Sequence, residues 1–109
     1  MSVVYVSGPI KNVKNAQKNI DKYSDLLREH GHTVLAPKVQ KESDIVEVML
    51  QDLTMVSQCD VILMLPGFES SFGCRTEWEL AHRTGKKIVY INSYNDLFCN
   101  VKRFEEIWQ

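Results

Sequence analysis

Four short runs rich in β-branched residues alternate along the chain with longer segments of helical periodicity. The runs predict strands at residues 3–7, 33–36, 60–65 and 87–91. Apolar residues at three- and four-residue spacing predict helices from Val13 to about 27, from a Ser43 cap to about 57, over 73–84 and over 96–108. Gly31 and Gly85 stand where the first and third helices are expected to end.

This strand–helix alternation predicts an α/β fold in which a parallel sheet lies between two helical layers. We expect a three-layer α/β/α architecture, flavodoxin- or Rossmann-like, with four or five parallel strands in a single domain over residues 1–109. Ligands of such sheets bind at the carboxyl ends of the strands. The candidate ligand loops are therefore residues 7–12, 37–42 and 66–73.

Composition and charge narrow the class of protein. A net charge of −1 gives no basic surface for nucleic acid, and no apolar run is long enough to span a membrane. Three cysteines without CxxC spacing indicate reduced thiols and a cytoplasmic location. We expect no metal and no cofactor, because the sequence has no P-loop or GxGxxG motif and His30 and His32 lack further ligands at metal spacing.

Two carboxylates fall on apolar helical faces. On the second helix, Asp52 lies about 20° from Ile45 on a wheel of 3.6 residues per turn, within a stripe completed by Met49, Leu53 and Val56. On the third helix, Glu77 lies among Cys74, Trp78, Leu80 and Ala81, whereas Arg75, Glu79, His82 and Arg83 share the opposite side. An ionised carboxylate on an inward face needs a partner or a function.

The two acids admit more than one interpretation. Each can form a structural ion pair or a helix-end contact at the edge of the core. Alternatively, Glu77 and Asp52 form a catalytic pair, since Glu77 lies early in a helix that starts at the ligand-binding edge of the sheet. Helical geometry alone does not show that they meet.

Five further residues are weaker candidates. Tyr5 lies within the first strand, where packing is its ordinary role. Ser71 and Gly73 precede a helix, where backbone amides can hold a phosphate, although a plain N-cap is the commoner use. Lys11 and Lys38 lie in the other two loops and can neutralise a phosphate or simply be solvated.

These positions together resemble the nucleoside 2-deoxyribosyltransferase superfamily, and most closely its 2'-deoxynucleoside 5'-monophosphate N-hydrolases. The matching segments are Val4-Tyr5-Val6-Ser7-Gly8, Gln51-Asp52-Leu53, Cys59-Asp60-Val61, and Ser71-Phe72-Gly73 followed by Glu77 and Ala81. The chain is also similar to a compact, little-characterised subfamily frequent in phage genomes.

The resemblance implies a hydrolase that cleaves an N-glycosidic bond with retention and acts in nucleotide metabolism. Glu77 would match the nucleophile, Asp52 the acid that assists the leaving base, and Tyr5 the residue that orients the nucleophile. Two carboxylates, one ionised and one protonated, suit cleavage through an oxocarbenium-like transition state.

The resemblance also implies a small-molecule nucleotide substrate. Its 5'-phosphate would lie against Ser71 and Gly73 and the loop of Ser7, Gly8, Pro9, Ile10 and Lys11. Transferases tend to carry an aspartate six residues before the nucleophile, where this chain has Ser71, and an aspartate would repel a phosphate. Gly8-Pro9 departs from the Gly-Ser of the hydrolases, and Glu79 replaces a family glycine.

Three alternative functions remain open at this point, and the resemblance also implies a second copy of the chain as a partner. The chain can instead be a nucleoside 2-deoxyribosyltransferase, a non-catalytic nucleotide-binding module of the same fold, or an interaction protein that uses the fold as a scaffold. The family forms dimers or larger homo-oligomers in which a neighbour completes the site. Trp78, Phe98 and Trp108 are candidates for such a contact, or equally for the core.

Overall fold

A computed structural model describes residues 2–11, 13–37 and 44–91 of the chain. The elements are β1 (Val3–Ser7), α1 (Ala16–Glu29), β2 (Thr33–Leu35), α2 (Ile45–Gln58), β3 (Val61–Met64), α3 (Phe72–Arg83) and β4 (Lys87–Tyr90), with one 3₁₀ turn at Phe68–Ser70. The helix predicted over 96–108 lies outside the described residues. No helix within the described ranges combines the length and apolar content needed to cross a membrane.

The four strands form one parallel sheet in the order β2-β1-β3-β4, which confirms the predicted α/β class. β1 is therefore central, with Tyr5 opposite Leu35 on one side and Ile62 on the other. At its carboxyl end, Ser7 pairs with Met64, and its carbonyl accepts from the amide of Leu65 at 2.8 Å. The ends of β1 and β3 thus lie side by side at the edge where α3 begins.

Both faces of the sheet are covered by helices. On one face, Val4 and Val6 of β1 pack with the apolar stripe of α1, which comprises Ile20, Tyr23 and Leu27. On the other face, Tyr5 packs with Val56 of α2 and with Cys74 and Ala81 of α3. Alternate residues of β1 point to opposite faces, so Tyr5 and Ser7 are both directed toward the α2 and α3 layer.

The predicted helix ends shift by a few residues. α1 begins at Ala16 rather than Val13. The cap of α2 is Asp44, whose carboxylate accepts from the amide of Val46 at 2.9 Å, in place of the predicted Ser43, which lies outside the described residues. Gly31 and Gly85 have φ of 85° and 72°, the left-handed conformation expected after a helix end.

The apolar stripe predicted on α2 is not buried at the amino-terminal end of the helix, so the prediction is wrong there. Ile45 is 69% exposed, and Val46 and Leu50 are also exposed. Met49 and Leu53 are half-buried, and within this helix only Val56 is fully buried. A helical stripe is buried only where another element covers it, and in the described part of the chain that cover reaches only the later turns of α2.

Gly8 allows close packing where β1 leaves the sheet. A Cβ at this position would lie 2.9 Å from Leu65 Cδ1 and 3.3 Å from Ile20 Cγ1. The chain therefore turns at Gly8 against the core between α1 and β3, which fixes the start of the loop that follows β1.

Candidate active site

Glu77 is a buried carboxylate on the inward face of α3. Its residue is only 6% exposed, although Glu79, two positions along, is exposed and pairs with Arg83 at 2.6 Å. The helix is started by Ser71, whose hydroxyl accepts from the amide of Cys74 at 3.3 Å. One and a half turns later, the helical period directs Glu77 at the carboxyl half of β1. The sequence therefore predicted the inward orientation of Glu77 correctly.

Two hydroxyl groups of β1 hold this carboxylate. The Tyr5 hydroxyl donates to Glu77 Oε2 at 2.7 Å, and the Ser7 hydroxyl donates to Glu77 Oε1, also at 2.7 Å. Both donors are fully buried. Among the described residues no lysine, arginine or histidine pairs with Glu77, so the structural ion pair that the sequence left open is not found there.

The surroundings place the ionisation of Glu77 near neutrality. Burial raises the pKa of Glu77 to about 7, the hydrogen bonds from Ser7 and Tyr5 oppose that rise, and the charge of Asp52 adds to it. The pKa of the Tyr5 hydroxyl is raised chiefly by burial and further by the charge of Glu77. Tyr5 therefore remains a neutral donor to the carboxylate at every physiological pH.

Asp52 is the second acid of the site. It is half-buried on α2, and burial raises its pKa to about 6. Its charge raises the pKa of Glu77 and also that of Tyr5, so Asp52 lies within electrostatic range of the same cluster. The two helices that carry the acids pack against each other along the same face of the sheet. The structure thus brings together Tyr5, Asp52 and Glu77, the three residues predicted to be catalytic.

Cys74 is a neighbour that the sequence placed on the inward face of the third helix but to which it assigned no role at the site. Its buried thiol contacts the hydroxyls of Ser7 and Ser71, and burial raises its pKa, so it is a neutral thiol. Cys74 precedes Glu77 by three residues, which places both on one face of α3. That spacing predicted the shared face, but it did not predict that the thiol would lie next to the hydroxyls of Ser7 and Ser71.

The first turn of α3 offers backbone donors next to the acids. Ser71 caps the amide of Cys74, while Phe72 and Gly73 supply the two preceding amides of the turn, where a helix has no internal acceptor for them. A Cβ at Gly73 would meet nothing within 4 Å. The space beside this backbone is therefore open to a ligand.

The predicted phosphate loop after β1 divides into buried and exposed parts. Pro9 and Ile10 are half-buried, and Ile10 packs against the core on the α1 face. Lys11 is exposed. The Ser7 hydroxyl is committed to Glu77, whereas Gly8 lies against Leu65 and Ile20.

Several candidates lie away from the acids or outside the described residues. Trp78 is half-buried, donates from Nε1 to the Tyr90 hydroxyl at 2.8 Å and stacks on His82 with ring centroids 4.9 Å apart. Asp60 accepts from the amide of Val3, a contact that joins the starts of β3 and β1. Lys38, Phe98 and Trp108 lie outside the described ranges.

A concave region of about 460 Å³ lies at the carboxyl ends of β3 and β4. Its lining residues are Pro66, Gly67, Phe68, Glu69, Tyr90 and Ile91. It contains none of the three predicted catalytic residues.

Within the described ranges no group of three His, Cys, Asp or Glu side chains is arranged to hold a metal ion.

Solved structures with the same fold carry related chemistry in their names. The chain is similar to 2-desoxiribosyltransferase from Leishmania mexicana, with 19% identity and a TM-score of 0.68. The match covers 84% of this chain and 65% of the Leishmania protein, so the chain spans less than two thirds of that protein's length. It is also similar to 2-deoxyribosyltransferase from Bacillus psychrosaccharolyticus, with 20% identity and a TM-score of 0.66, covering 91% of this chain and 95% of that one. A third similar structure is CMP N-glycosidase from Clostridium botulinum, with 22% identity and a TM-score of 0.64. The match covers 93% of this chain and 81% of the Clostridium protein.

These likenesses establish that the protein has the nucleoside 2-deoxyribosyltransferase-like fold, as the sequence resemblance implied. Residues 2–90 match the family described as Domain of unknown function (DUF4406), and the chain belongs to that family. A comparison with curated proteins gave no match.

Proposed function

We propose that the protein cleaves the N-glycosidic bond of a nucleoside or deoxynucleoside 5'-monophosphate through a glycosyl-enzyme on Glu77. The observation that carries this proposal is the environment of that carboxylate. Both of its oxygens accept from buried hydroxyls, no described cation pairs with it, and a second acid lies beside it. Buried acids kept without a cation are a common feature of catalytic sites.

The chemistry requires one ionised and one protonated carboxyl group. Glu77 attacks C1' of the sugar, the C1'–N bond breaks, and its electron pair goes to the base, which takes a proton from Asp52. Asp52, now ionised, then removes a proton from water as that water attacks C1' and frees Glu77. The products are the free base and the sugar 5-phosphate, with retained configuration after two inversions.

The location of Glu77 on its helix supports its role as the nucleophile. It lies in the second turn of α3, on the face turned toward β1, where the hydroxyls of Tyr5 and Ser7 donate to its ionised form. Tyr5 and Ser7 fix both oxygens, so the carboxylate is oriented before substrate binds. Each oxygen retains a second lone pair that can form the new bond.

A 5'-phosphate suits the amino end of the same helix. The amides of Phe72 and Gly73 and the hydroxyl of Ser71 lie there, about one turn before Glu77. The open space beside Gly73 lets a phosphate approach its backbone closely. Lys11 supplies an exposed positive charge from the loop after β1. Water is the proposed acceptor, because Ser71 stands where the transferases tend to carry an aspartate that grips a free 5'-hydroxyl.

The named activities of the structural neighbours agree with this class of reaction. Two of them are 2-deoxyribosyltransferases and one is a CMP N-glycosidase. A deoxyribosyltransferase is the second candidate, since a glycosyl-enzyme can pass its sugar to another base as well as to water. A non-catalytic nucleotide-binding module is less well supported, because two adjacent acids repel an anionic ligand and give a pure binder no benefit.

We further propose that residues 1–109 form one domain acting in the cytoplasm, with no cofactor. A homo-oligomer in which Trp78 takes part in the contact remains a prediction from the resemblance. A sedimentation measurement of the purified protein tests that prediction, with a mass above that of one chain as the expected result.

The test of the proposed function is release of free base. The purified protein is incubated with a panel of ribo- and deoxynucleoside monophosphates and the matching nucleosides, and the products are separated by chromatography. We expect base and sugar 5-phosphate from at least one monophosphate, and loss of both products in the Glu77→Gln variant. Glu79→Gln is the matched control, because Glu79 is an exposed glutamate of the same helix. Tight nucleotide binding without base release would instead support the binding module.

A further inference from the structure

Ser7 ends the central strand, at the position where a phosphate contact was predicted from the sequence. Its hydroxyl instead donates to Glu77 Oε1 at 2.7 Å, and the residue has no exposed surface. A hydroxyl has only one proton to donate. While the Ser7 hydroxyl donates its proton in the hydrogen bond to Glu77, it cannot donate to a phosphate as well.

We infer that Ser7 is a positioning residue of the nucleophile, one that fixes the Oε1 side of Glu77 while Tyr5 fixes the Oε2 side. The inference rests on the proposed function for its catalytic meaning. Its structural part, the hydrogen bond between two buried side chains 70 residues apart, stands on the geometry alone.

The strand geometry explains why two donors act together. Tyr5 and Ser7 are two residues apart on β1, so both side chains project from the same face at a spacing set by the strand. A carboxylate placed across them receives one hydrogen bond on each oxygen, which prevents rotation about its last bond. A single donor would leave that rotation open, and the reacting oxygen would be less well aimed at C1'.

Cys74 lies next to Ser7 on the helix side. Its thiol contacts the Ser7 hydroxyl and also that of Ser71, the cap of α3. The titratable groups that face Glu77 from the packed elements are therefore Tyr5 on β1, Asp52 on α2 and Cys74 on α3. The charge of Asp52 disfavours ionisation of Glu77, whereas the hydrogen bonds from Tyr5 and Ser7 favour it.

The test compares Ser7→Ala with Ser24→Ala. Ser24 is a matched control, because it is also a buried serine, but its hydroxyl donates to the Ile20 carbonyl within α1 on the other face of the sheet. With an active monophosphate, kcat/KM of Ser7→Ala should begin to rise about one pH unit higher than in the wild type. The Ser24→Ala profile should keep its position, and Ser7→Cys, which retains a weak donor, should lie between.

Two results would overturn the inference. If Ser7 held the phosphate, Ser7→Ala would raise KM for monophosphates, leave KM for nucleosides unchanged and not move the pH profile. If Ser7 were only structural, its alanine variant would lose stability as Ser24→Ala does, again with an unmoved profile.

A readout independent of turnover separates this inference from the proposed function. The ionisation of Glu77 can be followed by carbon NMR of protein labelled at glutamate carboxyl carbons, assigned with Glu77→Gln. A higher pKa of Glu77 in Ser7→Ala supports the hydrogen-bonding role even if no substrate is turned over. An unchanged pKa contradicts it, whatever the enzyme assays show.

Discussion

Tyr5 and Glu77 are separated by 72 residues in the sequence and joined by a 2.7 Å hydrogen bond in the fold. The bond connects the middle of the central strand to the inward face of α3, both within the buried layer of the sheet. It belongs to a cluster in which Ser7 supplies a second donor and Asp52 a second acid. Substitution of Tyr5, Ser7 or Asp52 should therefore change the ionisation or the orientation of Glu77.

Glu77→Gln should abolish base release while leaving the fold intact. Glutamine has nearly the same shape, and the hydroxyls of Tyr5 and Ser7 can each accept as well as donate, so the side chain remains satisfied. Removing a catalytic nucleophile typically costs three or more orders of magnitude in rate. The measurement is kcat by chromatography, with circular dichroism as the check on folding. Turnover close to that of Glu79→Gln would exclude Glu77 as the nucleophile.

Asp52→Asn should slow base release by about 10²–10⁴-fold, the usual contribution of a general acid. The loss should depend on the leaving group. The base of a nucleotide methylated at purine N7 leaves without needing a proton. With that substrate the variant should therefore approach the wild-type rate of base release in the first turnover, before Asp52 acts as the base toward water. An equal loss with both substrates would show that Asp52 acts in another way.

Tyr5→Phe should lower kcat and raise the pH at which activity appears. The substitution removes the donor to Glu77 Oε2 and keeps the ring that packs with Val56 and Ile62. We expect a loss of about 10–100-fold at pH 7, because a hydrogen bond to a charged group contributes roughly 1.5–3 kcal/mol. The assay is a pH series of kcat/KM. Loss of activity with an unchanged pH dependence would mean that Tyr5 contacts substrate and does not tune Glu77.

The pH dependence of kcat/KM should be bell-shaped, with its maximum between pH 6 and 7. The reaction needs one proton on the pair, held by Asp52, whereas pKa values of about 6 for Asp52 and about 7 for Glu77 place that proton mainly on Glu77. The reactive arrangement is therefore the minor one of the two one-proton forms, and both forms are most populated between the two pKa values. The limbs report the pair as a whole, not either residue separately. Asp52→Asn should lose the limb that falls at high pH. A flat profile from pH 5 to 8 would contradict this assignment of the pair.

The free energy of unfolding should fall as the pH rises from about 4.5 to about 7. The pKa of Glu77 is raised from 4.5 in the unfolded chain to about 7 in the fold, so the folded protein binds the extra proton over that range. The stabilisation is complete below pH 4.5 and lost by about pH 7, with a magnitude on the order of 3 kcal/mol. Urea unfolding should show a steeper slope in the wild type than in Glu77→Gln, which keeps only the contribution of the raised pKa of Asp52. Equal slopes in the two proteins would contradict this assignment.

The sequence was sufficient for the fold class because short runs rich in β-branched residues alternate clearly with segments of helical periodicity. It also predicted the inward orientation of Glu77, since a wheel places that residue with Cys74 and Ala81. It was wrong for Ile45, whose apolar character matched the stripe of α2 although no described element covers it. Burial depends on what packs over a residue, and a single-helix pattern does not contain that information.

The partners of Glu77 needed the tertiary structure. Ser7 was assigned to the phosphate because the resemblance placed it in the ligand loop after β1. The pairing of β1 with β3 and the packing of α3 on the same face direct it to the carboxylate instead. The two-residue spacing of Tyr5 and Ser7 indicated that they share a face. It did not indicate which helix would cover that face.

The glycosyl-enzyme on Glu77 can be detected directly by intact-protein mass spectrometry. The protein is mixed with an active monophosphate and quenched rapidly with acid. We expect a covalent adduct with the mass of the sugar phosphate, mapped by peptide fragmentation to Glu77 and missing from Glu77→Gln. Base release by the wild type, with the adduct on another residue or with inverted sugar 5-phosphate as the first product, would contradict a glycosyl-enzyme on Glu77.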